Sequence, residues 1–84
     1  MRRIRLGAGI LNQTPLAWEA NANRIIEAIH SARDQGVSVL CLPELCITGY
    51  GCEDMFLSPN TWRMAWRMLQ KIVAETSGMV VSVG

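Results

Sequence analysis

Hydrophobic and polar positions along the chain fall into blocks that predict five elements in the order β-α-β-α-β. Residues 4–11 are apolar and glycine-containing and end at the polar pair Asn12-Gln13, as a buried strand running into a loop would. Thr14-Pro15 then reads as an N-cap with proline in the first helical turn. Trp18, Ala22, Ile25, Ile26, Ile29 and Ala32 recur at helical spacing within an arc of roughly 120°, so helix one presents this face to a sheet. Gly36 marks its end. Residues 37–42 form a nearly continuous apolar run with β-branched members, the pattern of a parallel strand covered on both faces. A β-α-β unit follows.

Gly49, Gly51 and the acidic pair Glu53-Asp54 signal a loop, and Ser58-Pro59 repeats the cap-plus-proline start for a second helix over about residues 60–76. Its charged positions Arg63, Arg67 and Lys71 share one narrow, solvated stripe. Trp62, Met64, Ala65, Trp66, Met68, Leu69, Ile72 and Val73 cover an arc of roughly 200°, wider than one sheet face requires. Either the preceding loop folds over this helix or further protein covers it. Residues 79–83 begin a third strand, and the chain reaches Gly84 with open sheet edges. The pattern is that of the first portion of a larger α/β domain.

Composition narrows the class. Of 84 residues, 50% are hydrophobic and 18% charged, which argues for one packed unit rather than disorder. A domain of this size buries only about 60–65% of its unfolded surface, so its stability margin is thin. The net charge of +1 gives no argument for a nucleic-acid or membrane partner. Arg2, Arg3 and Arg5 make a short basic start, but Arg5 and then Asn12-Gln13 interrupt any export-type apolar core, and a cytoplasmic location is expected. Cys41, Cys46 and Cys52 form no C-x-x-C pair and His30 is the sole histidine, which argues against zinc and for reduced thiols.

Glu44 draws attention as candidate chemistry. It directly follows Pro43 at the carboxyl end of strand two, where open α/β sheets bind ligands. The competing reading is that its carboxylate satisfies backbone N–H groups in the loop. No complete constellation assembles nearby: Cys46 suits a small buried hydrophobe, Cys41 sits inside the strand where burial would keep it inert, and no base accompanies Cys52. Tyr50, between Gly49 and Gly51, either lines a pocket or caps the core. His30 reads as surface or boundary packing.

The run "LPELCITGY", with "NQ" ending strand one, resembles the start of a nitrilase-type (carbon–nitrogen hydrolase) domain, whose fold is an α-β-β-α sandwich. The extension "GYGCEDMF" is similar to one branch, the amidase portion of glutamine-dependent NAD synthetases. The resemblance implies a Glu-Lys-Cys triad in which Glu44 is the general base and Tyr50 lies by the glutamine pocket. It implies thiolate attack on the glutamine side-chain amide, a thioester, and ammonia passed to a synthetase domain that amidates deamido-NAD using ATP and magnesium. Glutamine is then the substrate and homo-oligomers are expected of the full-length protein. The family's lysine and cysteine come downstream of the glutamate, in segments outside these 84 residues; Lys71 belongs to the solvated stripe, and no cysteine here occupies the nucleophile's motif. On this reading residues 1–84 are an N-terminal fragment that is inactive alone, without the synthetase domain and with no cofactor of its own. Two other readings are another nitrilase-family amidase or nitrilase, and a non-catalytic module that binds a partner through helix two.

Overall fold

A computed structural model describes residues 4–49 and 58–84. Its elements are β1 (Leu6–Ala8), α1 (Trp18–Asp34), β2 (Val39–Cys41), α2 (Pro59–Val73) and β3 (Val80–Ser82), in the predicted order. The strands make one parallel sheet ordered β1-β2-β3, in register Leu6 with Val39 with Val80, and Ala8 with Cys41 with Ser82. Parallel pairing requires the crossovers that α1 and α2 provide.

Alternation along the strands gives the sheet two unlike faces. Leu40 points into the core, with Val81 and Val83 packed against the same cluster, where Ala22, Ile25, Ile29 and Ala32 of α1 meet Met68 and Ile72 of α2. On the other face Leu6 and Val80 are 71% and 65% exposed, and Cys41 is exposed with them. The expectation that β2 is covered on both faces is therefore corrected. Both helices lie on one side, so the apolar run reflects only half the cover it predicts, and Cys41 is accessible rather than buried.

The start of α1 also differs from its sequence signal. Thr14-Pro15 does not cap the helix; Thr14 to Ala17 form a turn closed by the Ala17 N–H on the Thr14 carbonyl at 3.2 Å, with Leu16 at φ 56°. Proline second and a positive φ third is the type II turn pattern, which spends the proline on the turn and delays the helix to Trp18. At the other end Gly36 adopts φ 75° just beyond Gln35 and stops α1 as expected. On α2, Met68 and Ile72 are buried, but Trp62 and Trp66 are 63% and 59% exposed. His30 is exposed, with its Nε2 2.9 Å from the Glu75 carboxylate, and Lys71 donates to Glu19 at 2.7 Å.

Candidate functional site

Three pieces of chain converge at the carboxyl edge of the sheet: the loop after β1, the turn after β2, and the end of β3. Residues 44–48 form the turn, in which Leu45 adopts φ 55°, a left-handed conformation uncommon for a branched side chain. The Gly49 N–H closes it on the Leu45 carbonyl at 2.7 Å. Ile47 N–H donates to the Gly84 carbonyl at 3.2 Å, and Leu16 N–H to the Thr48 carbonyl at 2.7 Å. The backbones are close enough to require glycine twice. A Cβ on Gly49 would lie 2.6 Å from the Thr14 carbonyl oxygen, and one on Gly84 would lie 2.7 Å from both Glu44 Cα and Leu45 N.

Between the loops lies a buried polar network. Asn21, fully buried on the core side of α1, accepts through Oδ1 from the Thr14 N–H (3.0 Å) and Arg24 Nη2 (2.9 Å). Its Nδ2 donates to the carbonyls of Thr14 (2.8 Å) and Ile47 (3.3 Å). Gln13 Oε1 accepts from Arg24 Nε at 2.7 Å, while its Nε2 donates to the carbonyls of Cys46 (2.7 Å) and Asn21 (3.1 Å). The partners fix both amide orientations, because a flip would set oxygen against oxygen. The buried Asn21 and the partly buried Gln13 are both thereby satisfied.

Glu44 stands on this clamped turn with its side chain exposed and, among the described residues, without a hydrogen bond or ion pair. The backbone-capping role weighed for it is not the one it plays here: the Ile47 and Gly49 amides donate to the carbonyls of Gly84 and Leu45, and the Thr14 amide to Asn21. Cys46 is fully buried, and desolvation pushes its thiol above the usual value of 9.0, which makes it a packing residue. Tyr50, Cys52 and Glu53-Asp54 lie outside the described residues. Among the described residues no side chain bonds to the Glu44 carboxylate, and the linings of two concavities along the β1 edge, of about 550 and 200 Å³, do not include it. Among the described residues no three His, Cys, Asp or Glu side chains gather to hold a metal ion.

In the sequence Asn12-Gln13 served as the end of a strand and as part of the family resemblance, and Asn21 and Arg24 were passed over. The available signal was Asn21 itself, a polar residue on the border of an otherwise apolar helical stripe.

Known proteins resemble this chain over most of its length. The carbon-nitrogen hydrolase family profile matches residues 5–84. Glutamine-dependent NAD(+) synthetases of Drosophila melanogaster and Saccharomyces cerevisiae are 36% and 39% identical over 99% and 96% of the chain. The chain spans only 11% and 12% of their lengths. A crystal structure of a glutamine-dependent NAD(+) synthetase from Cytophaga hutchinsonii superposes with a TM-score of 0.94 at 47% identity, over 96% of this chain and 14% of that one. The small α/β unit with its three-stranded parallel sheet is therefore shared with that enzyme, and the chain belongs to the carbon-nitrogen hydrolase family.

Proposed function

We propose that this segment forms the Glu44 wall of a glutamine amidase site that supplies ammonia for NAD synthesis. The observation that carries the reading is a carboxylate with no partner among the described residues, held on a tightly pinned turn at the ligand-binding edge of a parallel sheet. A general base needs both features, a fixed backbone and a side chain not already committed to another bond.

In this mechanism Glu44 takes the proton from a cysteine thiol contributed by chain outside these residues. The thiolate attacks the side-chain amide carbon of glutamine, the carbon–nitrogen bond breaks, and the proton goes to the leaving ammonia. Water then hydrolyses the thioester to glutamate, with Glu44 as base again. A lysine from outside the segment stabilises the oxyanion. Tyr50 lines the glutamine pocket. ATP and magnesium belong with a synthetase portion that amidates deamido-NAD, and none of the described residues is asked to hold them. By the same reading the bare sheet face packs on a second sheet to complete an α-β-β-α sandwich in a cytoplasmic, homo-oligomeric protein, and residues 1–84 alone have no amidase activity.

The test uses the full-length gene product that carries this segment. Glu44→Gln should lower glutamine-driven NAD formation at least about 1,000-fold while ammonia-driven formation is retained, because only the amidase step loses its base. Equal glutamine-driven rates in wild type and variant would remove Glu44 from the mechanism.

A further inference from the structure

We propose that Asn21, together with Gln13 and Arg24, is the positioning unit that holds the Glu44 turn in its working geometry. The inference rests on the amidase reading above and assigns roles to residues that do not touch the reacting atoms.

A fully buried asparagine in a helix that faces an apolar core needs a reason, since an apolar residue of similar shape fills such a place with less desolvation. Here all four of its hydrogen-bonding positions are used, and they join two loops that are far apart in sequence. The carbonyls it and Gln13 hold belong to Ile47 and Cys46, three and two residues beyond Glu44. Between them lies Leu45 at φ 55°. A left-handed leucine persists only where its surroundings over-determine it. The side-chain amides of Gln13 from the first loop and Asn21 from α1 grip the turn on one side, and the Gly84 carbonyl holds Ile47 from the other. If the grip on Cys46 and Ile47 is lost, Leu45 is free to return to an ordinary conformation, and the Cα–Cβ direction of its neighbour Glu44 swings with it. Proton transfer tolerates little such movement. Arg24, bonded to both amides, orients the pair without reaching the turn itself.

The discriminating variant is Asn21→Asp, which keeps the two accepted bonds and deletes the two donated ones, to Thr14 and Ile47. Gln13→Glu does the same at a less buried position and serves where Asn21→Asp fails to fold. In the full-length gene product either variant should lower kcat for glutamine hydrolysis by about 10- to 100-fold, leave KM within about threefold, and preserve ammonia-driven synthesis. Combined with Glu44→Gln it should cause no further loss, because it acts through that residue. The same fractional loss in both backgrounds overturns the proposal.

A second measurement judges the clamp independently of activity. In the full-length gene product, the variants should speed amide hydrogen exchange at Leu16 and Gly49 by at least about tenfold, with Ile29 and Leu40 unchanged. Unaltered exchange at Leu16 and Gly49 rejects the clamp. A wild-type full-length protein without glutamine hydrolysis rejects instead the amidase reading, while the exchange result still decides whether these residues hold the turn.

Discussion

At the scale of single residues, two cysteines in neighbouring segments have opposite environments. Cys41 faces outward on the bare side of β2, whereas Cys46 is sealed beneath the Glu44 turn. Burial raises the Cys46 thiol pKa above 9.0, so the folded state keeps its proton at a pH where the unfolded chain releases it. Stability from this source is fully present below about pH 9 and declines as pH rises from there toward the raised folded value, by up to about 1.4 kcal/mol per pH unit. Urea midpoints measured from pH 7 to pH 10.5 should fall at the alkaline end for the wild type and less steeply for Cys46→Ala. Identical slopes would mean that Cys46 does not control the alkaline limb. Cys41 and Cys46 both looked like interior residues in the sequence, because an apolar run announces burial without saying on how many sides. Only the placement of both helices on one face separated them.

At the scale of elements, periodicity found both helices and their inner faces, and what it missed has a physical cause. The arc on α2 is too wide for one sheet face, and the structure divides it into buried Met68 and Ile72 and exposed Trp62, Trp66 and Val73. Hydrophobicity alone cannot make that division, because it records affinity for an apolar neighbour and not whether one is present. Mutational cost draws the line. Ile25→Ala empties a fully buried site on α1 and should destabilise by about 2–5 kcal/mol, enough to unfold a chain with this little core. Trp62→Gln with Trp66→Gln removes a greater apolar volume from α2, yet should change stability by no more than about 1 kcal/mol in total. Thermal melts monitored by circular dichroism compare them directly. A large loss from the tryptophan pair would show that these rings are covered in solution. The start of α1 was misread for a different reason: Thr-Pro serves equally as a helix start and as the first half of a turn, and the left-handed Leu16 that decides between them leaves no mark in composition. Glu44 was legible as a candidate from its place after Pro43. Of the Asn21 network only Asn21 itself, at the border of the apolar stripe, left a mark; its partners did not, because the bonds go mostly to backbone carbonyls and amides, which every sequence possesses.

At the scale of the whole molecule, the dominant feature is an asymmetric sheet. One face carries the core; the other presents exposed Leu6 on β1 and Val80 on β3, and Ile4 and Ile10, flanking β1 in sequence, are 69% and 98% exposed. Isolated surface leucines are ordinary, but an exposed apolar face on a parallel sheet is not, since such sheets are covered on both faces in stable domains. No helix among the described residues is long and apolar enough to cross a membrane. The chain's share of 11–14% of its relatives' lengths leaves ample protein in those relatives to cover such a face. The 84-residue chain studied alone should therefore bind an environment-sensitive apolar dye and self-associate with rising concentration. Replacing Leu6 and Val80 with threonine, which keeps strand propensity while adding a hydroxyl, should weaken both effects and leave helix content unchanged. The paired substitution Trp62→Gln and Trp66→Gln on the opposite layer gives the contrast: if it suppresses association and the sheet-face substitutions do not, the sticky surface is the helix stripe, and the bare sheet is not what the isolated chain most needs to cover.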